Sequence, residues 1–252
     1  MALYAIGDLH LSYGVKPRGG SGSRPGPTGG IWKNREAVFR QNCLSLLTDD
    51  DTLVLAGDIS FGKNAEECAP DFAWLACLPG KKILLRGNHD RFWDAKKTPA
   101  LNAKYGDELF FLQNNFAAYG DWALVGTKGY CFEGPFYLDR RGRLVGWDEE
   151  EERRAGELVK RELERLGTSF EAAKSAGYRK FILFLHYPPT SLIEKTSGFC
   201  KMAEEYGASQ VIYAHSHGEH NFHTSIEGMK NGVFYRLVSG DCLRWRPEKI
   251  LE

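Results

Sequence analysis

Five short apolar runs punctuate the chain: Leu3 to Ile6, Thr52 to Ala56, Lys82 to Leu85, Phe181 to Leu185 and Val211 to Ala214. None alternates apolar with polar positions, which is the pattern of strands covered on both faces by helices or by another sheet. Helical segments lie between most of them. The pattern predicts one helix over Asn34 to Leu47 and a second starting near Asn64, where Asn64 and Glu67 have the spacing of a capping box. A third, charged helix is expected to begin near Asp148, with Leu158, Val159, Leu163, Leu166 and Phe170 on one face. Gly156 and Gly167 weaken or break it, and its Glu and Arg run reads as a solvated face. Shorter runs, Leu109 to Leu112, Trp122 to Gly126, Phe222 to Ile226 and Val233 to Val238, read as strands of a second sheet. Alternating strands and helices of this kind define an α/β protein.

Size and composition narrow this picture. A chain of 252 residues suffices for one large domain or two small ones, and nothing forces a split, so 1–252 reads as a single domain. Gly14 to Gly30, crowded with Gly, Pro and Ser, reads as a mobile surface loop, because such a composition cannot bury enough apolar surface to order itself. With 33 basic and 33 acidic residues the formal charge is zero, which argues against a coat for nucleic acid or anionic membrane. No apolar run approaches the ~20 residues of a bilayer span. Met1 to Ile6 leads straight into polar residues without the features of a secretory signal, so a cytoplasmic, non-membrane protein is expected. The six cysteines (Cys43, Cys68, Cys77, Cys131, Cys200 and Cys242) show no zinc-like spacing and read as reduced, mostly buried thiols.

Candidate chemistry sits at the ends of the five runs. Asp8 and His10 follow the first, Asp58 the second, Asn88, His89 and Asp90 the third, His186 the fourth, and His215 and His217 the fifth. Ligands of α/β sheets gather where strands end at their carboxyl termini, so five segments would deliver these groups to one crevice. Each signal alone is weak: Gly57-Asp58 is an ordinary turn, and a lone histidine is more often a core or surface residue. Together they are specific, since five of the seven histidines fall at these strand ends beside Asp8, Asp58 and Asn88. Histidine nitrogens mixed with carboxylate and amide oxygens form a divalent-metal site.

The set Asp8-Leu9-His10, Gly57-Asp58, Gly87-Asn88-His89-Asp90, His186 and His215-Ser216-His217 resembles the five motifs of the calcineurin-like metallophosphoesterase superfamily, and the wider chain is similar to a bacterial branch of predicted phosphohydrolases. The resemblance implies a four-layer α/β/β/α sandwich, two mixed sheets flanked by helices. It implies two divalent cations, manganese first with iron and zinc as alternatives: one on Asp8, His10, Asp58 and His217, the other on Asp58, Asn88, His186 and His215, with Asp58 bridging. By the same resemblance His89 donates a proton to the leaving group or binds a phosphate oxygen, and Asp90 orients it. The implied reaction is hydrolysis of a phosphomonoester or phosphodiester in a small phosphorylated substrate, by hydroxide generated from a water that the two cations share.

The one departure is Ala214, where the family usually has glycine. A nuclease or cyclic-nucleotide phosphodiesterase is the alternative within enzymology, although no basic, aromatic-laced strip is evident. A scaffold on the same fold would have lost ligands, and none is missing. Beyond the motifs, 128–147 could overhang the crevice and bring Tyr130, Arg140 or Arg141 to substrate. His220 and His223 are expected at the surface, and Trp32 and Trp93 as packing residues.

Overall fold

A computed structural model of the chain describes residues 1–15, 29–130, 136–138, 144–191 and 195–252. Most of the loop expected at 14–30 therefore lies outside the described residues, as do Cys131, Arg140 and Arg141. Four strands, β1 (Leu3–Ile6), β2 (Thr52–Leu55), β3 (Lys81–Leu85) and β4 (Leu109–Leu112), run parallel in that order. They are linked by helices α1 (Arg35–Leu46), α2 (Ala65–Ala76) and α3 (Thr98–Tyr105). The hairpin β5 (Phe116–Tyr119) and β6 (Trp122–Thr127) then opens a second sheet. After a separate two-stranded ribbon, β7 (Phe136–Leu138) and β8 (Leu144–Trp147), comes the long helix α4 (Glu149–Ser175). The second sheet continues with β9 (Lys180–Leu185), β10 (Ala208–Tyr213), β11 (Gly228–Lys230) and β12 (Val233–Leu237), with helices α5 (Gly198–Tyr206) and α6 (Glu219–Thr224) between them. Its order is β11-β12-β10-β9-β6-β5, and β13 (Glu248–Leu251) returns to pair antiparallel with β1.

The two sheets pack face to face. Leu3, Ala5, Val54, Ile83 and Leu85 of one meet Leu124, Ile182, Phe184 and Ile212 of the other in a buried layer. The opposite face of the first sheet, with Ile6, Leu53, Leu55 and Leu84, packs on Phe39, Cys43, Phe72 and Leu75 of the helices. Val125, Leu183, Val211 and Tyr213 of the second sheet pack on Leu166, Phe170, Phe199 and Ala203. This is the expected four-layer sandwich, and strands buried on both faces explain why the runs show no alternation.

The helix starts follow their sequence signals. Asn64 Oδ1 accepts from the Glu67 N–H at 3.0 Å, and Glu67 reaches back to the Lys63 N–H at 2.9 Å. Asp148 caps α4 through the N–H groups of Glu150 and Glu151, both at 3.0 Å, and the four glutamates of the first turn suit the positive end of the helix dipole.

Three expectations need correction. Phe222 to Ile226 is not a strand: the segment forms α6 and its exit, with Phe222 and Ile226 facing the second core four residues apart while His220 and His223 are exposed. Phe222 packs from the helix and Ile226 from the extended exit beyond Ser225, and the aromatic and β-branched composition misdirected the reading. Helix α4 runs unbroken through Gly156 and Gly167 for 27 residues. A glycine costs about 1 kcal/mol in a helix, less than is gained by burying Leu166, Phe170 and Ala173 against β6 and β9. Nor is the charged run wholly solvated, for Glu162 is fully buried.

The described cysteines are free thiols; Cys43, Cys68 and Cys200 are buried, whereas Cys77 is exposed. Among the described residues no helix is long and apolar enough to cross a membrane.

Candidate metal centre

The carboxyl ends of both sheets meet at one edge of the sandwich. Gly7, just past β1, donates its N–H to Val238 O at 2.7 Å, and Asp8 and His10 donate theirs to Gly57 O and Asp58 O at 3.0 and 2.8 Å. The loops after β1, β2 and β12 are thus tied to one another by their backbones. Asp8, His10, Asp58 and His215 all take left-handed backbone conformations, with φ of 63°, 49°, 52° and 70°. Each costs about 1–2 kcal/mol for a side chain other than glycine, so these bonds hold the residues where the isolated chain would not. At Gly57 (φ 92°) a Cβ would collide with the His186 ring, and at Gly87 with the Asp58 carboxylate. Both glycines let a ligand cross directly over the backbone. Ala214 has no positive φ, and its methyl group lies over Gly7; the left-handed residue is His215, so the alanine is accommodated without strain.

All nine motif residues converge here, and six of them form two groups. In the first, ligand atoms of Asp8, His10 and His217 lie within 4.8 Å of one another; in the second, those of Asp58, His186 and His215 do so. Asp58 reaches both: Oδ1 is 3.4 Å from His186 Nε2, and Oδ2 is 3.8 Å from His10 Nε2. Asn88 joins the second group, its Oδ1 2.7 Å from His186 Nε2, and His215 Nδ1 stands 3.2 Å from the same nitrogen. His89 is more open and faces Asp58 Oδ2 at 3.8 Å.

The outer contacts aim the rings. His186 Nδ1 bonds Ala56 O at 3.0 Å, leaving Nε2 to point inward. His217 Nδ1 bonds Asp241 Oδ1 at 2.9 Å, which directs Nε2 to Asp8 Oδ1 at 3.6 Å. A carboxylate behind a histidine is a common device for orienting a metal ligand. Asp90, expected from the motif to orient the His89 ring, instead accepts from the N–H groups of Ile59, Ser60 and Gly87 at 2.9, 3.0 and 2.7 Å. It fixes the turn on which His89 stands, not the ring.

Burial and charge set the proton balance. Burial pushes the Asp8 carboxyl up to about 6, and burial pushes His10 and His215 down to about 3. For His186 burial acts downward, yet the charge and hydrogen bond of Asp58 outweigh it and raise the imidazole to about 9. Burial opposes ionisation of Asp58 as well, and the facing His186 and His10 hold it well below the carboxylate range. Asp8 Oδ1 is buried without a hydrogen-bond partner, although it faces two imidazoles. Such an orphan acceptor amid nitrogen and oxygen donors fits a divalent cation.

Several participants escaped the sequence reading. Asp241 follows the run Val233 to Val238 just as the motif residues follow theirs, and that signal could have found it. Trp32, expected as packing, does pack on Trp245, but also on the rings of His217 (5.0 Å) and His10 (5.7 Å). Tyr187 lies 4.2 Å from His215 between ring centroids. Trp93 is a packing residue, as expected, with Nε1 donating to Thr98 Oγ1 at 3.0 Å.

Fold and site together define a two-sheet sandwich that gathers histidines and carboxylates at its strand ends. The chain belongs to the calcineurin-like phosphoesterase family, whose model matches residues 1–219; its chemistry is metal-dependent hydrolysis of phosphate esters. No curated protein matches the chain significantly. Among solved structures it is similar to a phosphopantetheinyl hydrolase (PptH) from Mycobacterium tuberculosis, with a TM-score of 0.59 and 16% identity over 99% of this chain and 95% of that one. It is also similar to the protein TT1561 of Thermus thermophilus, with a TM-score of 0.51 and 10% identity over 99% and 97% of the two chains. At these identities the likeness speaks for the fold.

Proposed function

We propose that the chain hydrolyses a phosphomonoester or phosphodiester of a small molecule with two divalent cations bound side by side. Asp8, His10, Asp58 and His217 would hold one, and Asp58, Asn88, His186 and His215 the other. The observation that carries this reading is Asp58, whose two oxygens face the two separate groups. Its charge offsets the repulsion between two cations, and the neutral Asn88 oxygen avoids an excess of anions. When bound, such a pair lowers the pKa of a shared water and clamps phosphoryl oxygens for in-line attack. The mixed nitrogen and oxygen donors suit manganese, with iron or zinc as alternatives.

The chain's own part is positional. The Asp241 contact aims His217, the Ala56 carbonyl aims His186, and the Gly87 turn held by Asp90 presents His89 at the open side, where its Nε2 can give a proton to the leaving oxygen. Metal analysis of the purified chain, with turnover of an aryl phosphomonoester and its diester in added Mn²⁺, tests the reading. Two cations per chain are expected, and Asp58→Asn is expected to lose at least one of them and on the order of 10³-fold in kcat. Full turnover by Asp58→Asn would show that no bridged pair is at work.

A further inference from the structure

Cations buried in this fold generally have donors engaged by protein oxygens. Lys82 Nζ gives hydrogen bonds to the Leu78 and Gly80 carbonyls at 2.7 and 2.6 Å. Arg35 binds the Leu9 and His10 carbonyls at 2.9 and 2.7 Å, and Arg165 binds the buried Glu162 at 2.6 Å. Two cations beside the metal centre differ. Lys128, just past β6, is only 8% exposed, yet its ammonium makes no hydrogen bond or ion pair with a described residue. It lies over the rings of Tyr187 and Tyr130, 4.8 and 5.4 Å from their centroids. Arg86, just past β3, is half-buried, and its Nε is buried with no hydrogen-bond partner. Leaving the buried Arg86 Nε without an acceptor is unfavourable.

The surrounding charges do not supply an acceptor. Lys128 stands within electrostatic reach of Arg86, Arg161, Arg165 and Glu162. Glu162, the one carboxylate in that set, is committed: Oε1 to Arg165 at 2.6 Å and Arg161 at 3.9 Å, Oε2 to Thr127 Oγ1 at 2.6 Å. Asp90, near Arg86, has both oxygens on backbone N–H groups. Positive charge therefore exceeds negative here among the described residues.

The position is adjacent to the chemistry. Lys128 O accepts from the N–H groups of His186 and Tyr187 at 3.2 and 3.0 Å, and the Tyr187 ring touches both the Lys128 ammonium and the His215 ring. Arg86 is two residues from Asn88. We propose that Lys128 and Arg86 form a subsite for a second phosphate group of the substrate. The substrate class is then a small molecule with two phosphoryl groups, one hydrolysed at the cations and the other held against Lys128 and Arg86. A dianion suits a planar guanidinium beside a point-charge ammonium. The subsite extends the proposed phosphoesterase reading and rests on it for the identity of the scissile group.

Two readouts test it on the full chain. Inorganic phosphate is titrated calorimetrically into chelator-treated protein, where binding owes nothing to metals. The wild type is expected to bind one phosphate, Lys128→Met and Arg86→Met each about tenfold to a hundredfold more weakly, and Lys128→Arg close to the wild type. Equal binding by wild type and both Met variants means an adventitious ion only, and overturns the proposal. The Arg86 variant and the wild-type titration still decide if Lys128→Met does not fold. In the Mn²⁺-loaded chain, KM is compared for a nucleoside 3′,5′-bisphosphate and for bis(p-nitrophenyl) phosphate. Lys128→Met is expected to raise the first at least about tenfold more than the second, and an equal rise in both overturns the proposal. Failure of the wild type to hydrolyse either ester would sink the hydrolase reading, whereas the titration on chelated protein judges the subsite by itself.

Discussion

The two flanks of the metal centre use the same kinds of residue to different ends. On the His10 and His217 side, Trp32 and Phe61 crowd the rings, Trp245 backs Trp32, and Arg35 is tied by hydrogen bonds to the carbonyls of Leu9 and His10. On the His186 and His215 side, Tyr187 edges the rings, and Lys128 and Arg86 have donors that no described residue accepts. Burial alone does not separate a structural cation from one that grips a ligand. The destination of its hydrogen bonds does, because a buried donor left without an acceptor is unstable unless something else provides one.

The largest effect that could break this comparison lies at Glu162. Replacing it by alanine removes the counter-ion of Arg165 and Arg161 and the acceptor of Thr127, and is expected to destabilise the fold by about 3–5 kcal/mol in denaturant titration. Folded Glu162→Ala should bind phosphate more tightly than the wild type, since a competing carboxylate has gone. Weaker binding would mean that Glu162 shapes the subsite instead of competing with its ligand. Next in size, Arg35→Met removes two hydrogen bonds from a charged donor and is expected to cost about 2–3 kcal/mol of stability. Its KM ratio between the bisphosphate and the plain diester should match that of the wild type. A shift like that of Lys128→Met would erase the distinction between the flanks.

The smallest effect is a pH slope on the second flank. His186, raised to about 9, holds a proton below that pH that an incoming cation must displace. Acid therefore favours the protonated site, and the apparent Mn²⁺ affinity should climb by up to about tenfold per pH unit from pH 7 towards 9 before levelling. A flat titration over that range would place the displaced proton elsewhere.

The sheets and the nine motif residues were legible in the sequence because each motif follows an apolar run, and strand ends of parallel sheets converge whatever lies between. Asp241 obeys the same rule but stands alone, without a histidine neighbour to draw notice. Lys128, Arg86 and Glu162 carry no comparable local signal. Glu162 sits within a run of glutamates and arginines that composition reads as solvated, and only the approach of Thr127 and Arg165 from other parts of the fold shows it buried. The same holds for α6 and its exit, where Phe222 and Ile226 have meaning only against the second core.

The left-handed residues have a consequence for mutagenesis. Asp8 not only faces His217; its Oδ2 also anchors the backbone of His215 at 3.0 Å, while Asp58 Oδ1 anchors the backbone of His89 at 2.7 Å. Truncating one such aspartate to alanine unfastens a neighbouring loop along with deleting a donor, so lost occupancy in that variant cannot be assigned to one bond. Isosteric swaps that keep the oxygen on the amide, Asp8→Asn above all, separate the knot from the ligand.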